Sequence, residues 1–196
     1  MKLVLASKNA HKLVEMKDIL SQLGVEVVLE SEAGVDVDVE ETGATFEENA
    51  YLKAHAVMEA SGLPAIADDS GLCVDALNGA PGVYSARYGG PGLDDAGRYQ
   101  LLLENMRGQL DRRCKFVSAI CCCFPNGDRV EVRGECAGTL AYAPKGADGF
   151  GYDPVFFVPG LKKTFAELSP EEKNAISHRG NALKAFREKL ETYLKK

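Results

Sequence analysis

Two pairs of neighbouring acidic residues are the first candidates for chemistry in this sequence. Glu40 and Glu41 lie in an acidic stretch, and Asp68 and Asp69 directly follow a short apolar run. Mg²⁺ prefers oxygen ligands and is usually held by one or two carboxylates, while phosphate oxygens and water complete its shell. One residue from each pair would therefore suit a phosphate-bound metal ion. Solvated loop charges are the simpler interpretation of Glu40 and Glu41, but idle paired acids beside an apolar strand would repel each other.

A polar segment with two lysines lies between an apolar run and a helical pattern near the start of the chain. The first N–H groups of a helix and the positive end of its dipole can receive phosphate oxygens, and lysines add charge. The glycine-rich pattern of a P-loop is absent from this segment. We expect either a phosphate-binding loop or a plain helix start. The segment consists of Ser7, Lys8, Asn9, Ala10, His11 and Lys12.

Aromatic and cationic residues in the last third of the chain could bind a planar ring. Phe150 stands between two glycines that permit close backbone approach, and a purine could stack on it. Core packing is an equally good interpretation of the aromatic residues, and a surface salt bridge is the simpler interpretation of the cations. The candidate contacts in the first segment are Phe150, Gly151, Tyr152 and Asp153. The candidate donors at the predicted start of the last helix are Lys173, His178 and Arg179.

The hydrophobic spacing predicts the elements that carry these residues. An apolar strand over 3–6 precedes the polar segment, a helix follows it, and Gly24 separates this helix from a strand over 25–29. Thr45 and Glu48 form a capping-box pattern at the start of a further helix. The acidic stretch is therefore expected to be a loop just before a helix N-terminus.

The second half of the chain alternates between strands and helices. A strand over 64–67 ends at Asp68, and α/β folds place chemistry at strand ends. A helix over 94–106 is followed by strands over 114–124 and 129–140, which an Asn-Gly turn joins into a hairpin. Short strands mixed with helices, including one hairpin, predict an α/β fold with a mixed β-sheet flanked by helices.

The composition limits the class of protein. The 196 residues are 45% hydrophobic and carry a net charge of -6, which favours one globular domain over 1–196 and argues against binding of a nucleic-acid backbone. No apolar run is long enough to span a bilayer, and no secretory signal is recognisable, so we expect no membrane partner and a cytoplasmic location. The six cysteines lack the spacing of a zinc site, and the three consecutive ones are expected in a buried strand.

Seven short motifs follow one another from residue 5 to beyond residue 180. They are Ser7–Lys12, Glu40–Gly43, Phe46–Ala50, Ala67–Leu72, Gly79–Tyr88, Gly149–Pro154 and Ser177–Gly180. Together they resemble the inosine triphosphate pyrophosphatase family, in its bacterial dITP/XTP pyrophosphatase branch. The resemblance implies hydrolysis of dITP, ITP and XTP to the monophosphate and pyrophosphate. It also implies an elongated α/β protein with two lobes around a central nucleotide-binding cleft, and a homodimer.

The resemblance also implies roles for individual residues. The segment from Ser7 to Lys12 would bind the triphosphate, and Glu40 and Asp69 would hold Mg²⁺. Asp69 would accept the proton of the attacking water, and Ser70 would touch the substrate. The base pocket would consist of Phe150, Gly151, Tyr152, Asp153, Lys173, His178 and Arg179. The family more often has glycine where Lys8 stands, so the backbone approach there could differ.

Three other interpretations stay open at this point. A Maf-like pyrophosphatase for pyrimidine or modified nucleotides would share the architecture, but its different opening motif is not found at Ser7–Asn9. A nucleotide-binding module without turnover would gain little from four carboxylates unless a metal ion binds there. A thiol redox or metal protein built around Cys121–Cys123 would need exposed thiols of low pKa.

Overall fold

The computed structural model describes residues 1–195, apart from the side chain of Leu23, and these residues form strands and α-helices joined by turns and short 3-10 helices. The strands are β1 (Lys2–Leu5), β2 (Glu26–Leu29), β3 (Ala65–Val74), β4 (Arg113–Cys123), β5 (Arg129–Leu140), β6 (Phe156–Val158) and β7 (Lys163–Thr164). The α-helices are α1 (Ala10–Leu20), α2 (Phe46–Ser61), α3 (Asp95–Asn105), α4 (Pro170–Ile176) and α5 (His178–Leu194).

The seven strands form one mixed sheet in the order β2-β1-β3-β4-β5-β6-β7. β1 pairs in parallel with β2 and β3, and β6 pairs antiparallel with β5 and β7. Parallel neighbours need a crossover connection, which α1 provides between β1 and β2. The α/β fold with a mixed, helix-flanked sheet that the sequence predicted is confirmed.

The chain divides into two compact units. Unit 1 comprises residues 1–69, 118–134 and 179–195, and its core joins the sheet to α1 and α5. Leu3 and Leu5 are two residues apart in β1, so their side chains point to the same face of the sheet. They belong to one buried cluster with Met16 and Leu20 of α1 and Phe186 of α5. This packing holds the start of α1, where the polar segment lies, against the sheet.

Unit 2 comprises residues 70–117 and 135–178 and has an aromatic core. The ring centroid of Phe156 lies 4.6 Å from that of Phe116 and 4.6 Å from that of Phe165. Tilted ring pairs at this separation contribute beyond their buried area. Leu72 of β3 and Leu102 of α3 complete the same cluster. The structure divides the chain into two compact units, and whether these form one domain over residues 1–196 stays a prediction.

The predicted end of the third strand at Asp68 is wrong. In the structure β3 runs through Asp68 and Asp69 to Val74 without a break. Successive side chains of a strand point to opposite faces, so the two acids face away from each other and need not leave the sheet. A cation on each face of the sheet pairs with one of the two acids, as described below. These pairs offset the repulsion between the two carboxylates that the sequence analysis assumed.

The predicted place of Lys173 at the start of the last helix is also wrong. Lys173 lies in the separate helix α4, and α5 begins at His178. Ser169 caps α4 by accepting a hydrogen bond from the amide of Glu172 over 3.1 Å, and Pro170 occupies its first turn. Serine followed by proline and then glutamate is a recognisable helix start, which the sequence interpretation overlooked.

The local start and stop signals of α2 are confirmed. The Thr45 hydroxyl accepts a hydrogen bond from the amide of Glu48 over 3.1 Å, and Gly62 ends the helix with a φ of 68°. The Glu48 carboxylate accepts from the amide of Ala44 rather than from that of Thr45. Within residues 1–195, every helix is too short or too polar to cross a lipid bilayer.

Candidate active site

The polar segment ahead of α1 is organised by Asn9. Its side-chain oxygen accepts hydrogen bonds from the amides of His11 (3.0 Å) and Lys12 (3.3 Å), and Ser7 accepts from the amide of Asn9 (3.1 Å). The segment is thus a capped helix start, and Ala10 is the first residue of the helix. The Lys8 ammonium extends into solvent, where it pairs with a carboxylate oxygen of Asp36 at 3.0 Å.

Asp68 is the centre of a buried ion-pair network in unit 1. The Lys12 ammonium lies 2.8 Å from one of its carboxylate oxygens, and the Arg179 guanidinium donates to the other over 3.3 Å. Ser118 also donates to that oxygen, and Arg179 pairs in addition with Glu15. These cations hold the pKa of Asp68 far below its usual range although burial raises it. Asp68 is therefore an ionised residue with a structural role, and each of its carboxylate oxygens lies close to a cation.

Asp69 has different surroundings on the opposite face of β3. The nearest cation is the Lys53 ammonium, 3.6 Å from one carboxylate oxygen of Asp69 and 3.6 Å from the carboxylate of Glu41. Burial, together with the nearby Glu41 and Asp68, raises the pKa of Asp69 to about 6. The second carboxylate oxygen of Asp69 is buried, and no group in the described part of the chain donates a hydrogen bond to it.

This buried oxygen is the main indication of a ligand in unit 1. A buried polar atom without a partner costs free energy, so such atoms in proteins point to a bound ion, water or substrate. The family resemblance implied Glu40 as the second acid beside Asp69. Glu40 is exposed, whereas Glu41 is half-buried and shares Lys53 with Asp69. Ser70 follows Asp69 in β3 and is half-buried.

Residues 1–195 contain no group of three or more His, Cys, Asp and Glu side chains arranged to hold a metal ion by themselves. Such a group is not required for Mg²⁺, which usually takes one or two carboxylates and completes its shell with waters and phosphates. Asp69, with one oxygen unengaged, fits such an ion together with an acid from the Glu40–Glu41 pair. The donor set is that of a hard cation.

Unit 2 contains a second buried charge pair beside an aromatic ring. The Lys173 ammonium lies 2.7 Å from a carboxylate oxygen of Asp153, and both side chains are buried. The same oxygen accepts from the amide of Phe150 over 3.0 Å, and the ammonium lies 4.8 Å from the Phe150 ring centroid. Gly149 has a φ of 74°, and an added Cβ there would approach the Asp153 carboxylate to 2.1 Å, so only glycine fits.

The neighbouring residues of this segment are fixed by partners within unit 2. The Tyr152 hydroxyl donates to the carbonyl oxygen of Ser85 over 2.7 Å, so its side chain is buried in the core rather than presented to a ligand. The amide of Gly151 donates to the carboxylate of Asp95 over 2.8 Å. The His178 ring is buried and stacks on Phe116 at 4.6 Å between centroids.

Comparison with known proteins identifies the relatives of this chain. The model of the Ham1 family matches residues 3–189. The chain belongs to the Ham1 family. Proteins named dITP/XTP pyrophosphatase from an Exiguobacterium strain and from Clostridium perfringens are 47% and 46% identical to it, over 100% and 99% of both chains. The resemblance drawn from the seven motifs is confirmed.

Solved structures of Ham1 proteins have the same fold. The Staphylococcus aureus Ham1 protein matches 98% of this chain with a TM-score of 0.89 and 44% identity, and the match covers 100% of that protein. A HAM1 protein from Coxiella burnetii matches 98% with a TM-score of 0.91 and 45% identity, over 99% of its own length. The family relationship therefore holds for sequence and for fold over nearly the whole chain.

Four residues beside the candidate site of this Ham1-family chain were missed by the sequence reasoning. They are Glu15, Lys53, Asp95 and Ser118. Lys53 could have been found, because it lies seven residues after Phe46 and four before Val57, on the buried face of α2. A lysine on a buried helix face needs a partner. The other three carry no such local signal, because their partners are distant in sequence.

Proposed function

We propose that this chain hydrolyses non-canonical purine nucleoside triphosphates such as dITP, ITP and XTP to the monophosphate and pyrophosphate. The relatives named dITP/XTP pyrophosphatase match the whole chain. The observation that carries the proposal is the difference between Asp68 and Asp69, two neighbours in one strand. Asp68 has cations 2.8 Å and 3.3 Å from its two carboxylate oxygens, whereas the cation nearest to Asp69 lies 3.6 Å away and the second oxygen of Asp69 is buried without a hydrogen-bond donor from the described residues.

The proposed base is Asp69. A general base must lie within hydrogen-bond reach of the proton that it takes, and Asp69 has a carboxylate oxygen to which no described group donates. Asp69 accepts a proton from water aligned for attack on the α-phosphorus. Lys53, 3.6 Å away, holds the carboxylate in place and keeps part of it ionised. Asp68 cannot take this role because Lys12 and Arg179 hold its charge.

The proposed triphosphate site is the segment Ser7–Lys12, and the proposed metal ligands are Glu40 and Asp69, with Glu41 as the alternative to Glu40. When bound, Mg²⁺ would neutralise phosphate oxygens and so lower the barrier to attack of water on the α-phosphorus and departure of pyrophosphate. Lys53 beside Asp69 and Lys12 beside Asp68 supply fixed positive charge, which favours the accumulating charge of the leaving pyrophosphate. Ser70, next in the strand, would contact the substrate.

The residues of unit 2 supply the proposed selection of the base. Phe150 offers a ring face on which a purine can stack, and Lys173 and His178 offer donors toward the 6-keto oxygen of hypoxanthine or xanthine. Gly151 and Tyr152 contribute through backbone groups, since the Tyr152 hydroxyl is occupied by Ser85. An adenine 6-amino group would leave those donors unpaired, and such a mismatch is worth up to about 10⁴ in kcat/KM.

The first experiment measures pyrophosphate release from dITP, XTP, dATP and dGTP with Mg²⁺ or EDTA, for the wild type and for Asp69→Asn. We expect turnover of dITP and XTP that requires the metal and is lost in the variant. The same assay is run with dCTP and dUTP, and turnover of these pyrimidine nucleotides alone would favour the Maf-like alternative. Tight nucleotide binding without turnover would favour a binding module.

We further propose a cytoplasmic homodimer, as the sequence predicted. Sedimentation equilibrium of the purified chain measures its mass directly, and a 21.1 kDa species at all concentrations would refute the dimer. Cell fractionation tests the location. The predicted lack of nucleic-acid binding rests on the net charge of -6 and is checked by gel shift with DNA at low salt.

A further inference from the structure

Unit 1 contains a cavity of about 560 Å³ beside the polar segment. The turn that follows β2 forms one wall, and the segment that precedes α1 forms the other. Three of its lining residues, Lys8, Glu30 and Asp36, are charged, and Ser7 and Ser31 add hydroxyls. The cavity therefore brings two carboxylates and one ammonium together near the proposed triphosphate site.

The Glu30 side chain is the unusual feature of this cavity. Glu30 is only 6% exposed, and its backbone carbonyl is fixed by the amides of Ala33 and Val35. Across residues 1–195, no group donates a hydrogen bond to its carboxylate. Burial raises the pKa of Glu30, opposed by the nearby charge of Lys8. Most of the Glu30 residue is buried, and its carboxylate lines the cavity without a donor from the described part of the chain, so a cation in the cavity can bind it.

The second carboxylate of the cavity is only weakly held. Asp36 pairs with Lys8 at 3.0 Å, but its side chain is 88% exposed and that of Lys8 is 61% exposed. Exposed pairs of this kind contribute little to stability, so a cation of higher charge can replace the lysine. Replacement would free the Lys8 ammonium from Asp36, so that it could contact a phosphate bound at the segment Ser7–Lys12.

We propose that Glu30 and Asp36 bind a divalent cation in this cavity, at a site separate from the one proposed at Asp69. Two carboxylates, with hydroxyls and water completing the shell, match the ligand set that hard divalent cations accept. The role of this cation depends on the proposed function. The cation would neutralise the terminal phosphates and the leaving pyrophosphate, while the ion at Asp69 would act on the α-phosphate. An amine ligand is disfavoured because Lys8 already supplies one ammonium here.

The test uses Mn²⁺ alone as the probe, with the isotope-labelled full chain observed by amide NMR. In the Asp69→Asn background, which removes the other proposed ligand, Mn²⁺ is expected to broaden the amide signals of Ser31 and Gly34. Adding Glu30→Gln should raise the Mn²⁺ concentration needed for half broadening by about tenfold or more. Asp36→Asn should weaken binding in the same direction, and because Asp36 is exposed its substitution leaves the fold intact.

The matched control is Glu26→Gln, the same substitution at an exposed position of β2, the strand that ends just before Glu30, and it should leave the Mn²⁺ response unchanged. Equal Mn²⁺ response in the Glu30, Asp36 and Glu26 variants would overturn the proposal. The readout needs no turnover. A chain that shows the Mn²⁺ response but never releases pyrophosphate would therefore refute the proposed function and keep the cation site.

Discussion

The Lys53 ammonium donates a hydrogen bond to the main-chain carbonyl oxygen of Asp68 over 2.9 Å. This contact ties α2 to the backbone of β3 at the point where the two acids diverge to opposite faces. It leaves the ammonium 3.6 Å from the carboxylates of both Asp69 and Glu41. Lys53 therefore fixes the strand and supplies positive charge to the proposed base.

Replacing Lys53 by methionine should lower kcat for dITP by about 10²-fold or more, since removal of one preorganised charge in a buried site has effects of that order. The fold should persist, because methionine fills similar volume on the buried helix face. Lys115→Met is the control, because Lys115 forms only a surface pair with Glu135 at 3.1 Å. Equal activity of the two variants would exclude a role for Lys53 in turnover.

Asp68 should matter more for stability than for the chemical step. Replacement by asparagine leaves the buried Arg179 and the half-buried Lys12 without their counter-charge, and breaking a buried pair costs about 3–5 kcal/mol. Urea unfolding followed by circular dichroism measures the change. Asp111→Asn breaks an exposed pair with Arg113 and should leave the unfolding midpoint unchanged. A midpoint for Asp68→Asn equal to that of the control would contradict the network argument.

Glu40 and Glu41 can be separated by mutation. The sequence favours Glu40 as the metal ligand, whereas only Glu41 lies close to the lysine that contacts Asp69. Each residue is changed to glutamine, and the Mg²⁺ concentration for half-maximal pyrophosphate release is measured. The variant that loses the true ligand should need about tenfold more Mg²⁺. A shift in neither variant would mean that Asp69 alone supplies the carboxylate.

The pattern of success and failure in the sequence analysis follows the sequence separation of the contacts. The signals at Thr45 and Gly62 are local, and the helix between them was predicted correctly. The partners of Asp68 include Arg179, 111 residues away, so no local pattern could reveal that Asp68 is neutralised and can stay inside a strand. For the same reason the different roles of Asp68 and Asp69 could not be separated from sequence.

The segment Gly149–Pro154 gives a second example. Its glycines and its aromatic residue mark it as special, and Gly149 has a positive φ and lies too close to the Asp153 carboxylate for a Cβ. The sequence gives no sign, however, that Asp95 holds the amide of Gly151 from a separate helix. Nor could it reveal that Tyr152 donates to Ser85 and so contributes no free hydroxyl. Tertiary contacts decide these points.

Asp95 should position the Phe150 segment through its 2.8 Å hydrogen bond from the amide of Gly151. Asp95→Ala should raise KM for dITP by about three- to tenfold with little change in kcat, because one solvent-exposed hydrogen bond is worth about 1 kcal/mol. Asp94 provides the matched control. It is the adjacent acid on the same helix start but accepts from the amide of Gly97, so Asp94→Ala tests helix capping alone. Asp95→Asn keeps an acceptor oxygen and should therefore have a near-normal KM. An equal KM for Asp94→Ala and Asp95→Ala would contradict the positioning role of Asp95.

The cysteines should react slowly in the native chain, which tests the alternative of a thiol redox protein. The contact with Cys121 lowers the pKa of Cys123, but Cys121, Cys122 and Cys123 are all buried and so are shielded from reagents. Burial raises the pKa of Cys136 to about 11 and that of Cys114 to about 12, and it raises the pKa of Cys122 further. The thiolate is the reactive form, so at about pH 8 roughly one Cys136 thiol in a thousand is ionised, against about a quarter of ordinary thiols.

The rate of reaction with a disulfide reagent should therefore be about two orders of magnitude lower for Cys136 in the native chain than in the unfolded chain. Because the pKa is raised, the native rate should still rise about tenfold per pH unit between about pH 7.5 and 9.5, where an ordinary thiol levels off. Cys136→Ser identifies the contribution of this residue. A native rate that levels off below about pH 8 would indicate a thiol activated by its surroundings and would restore the redox alternative.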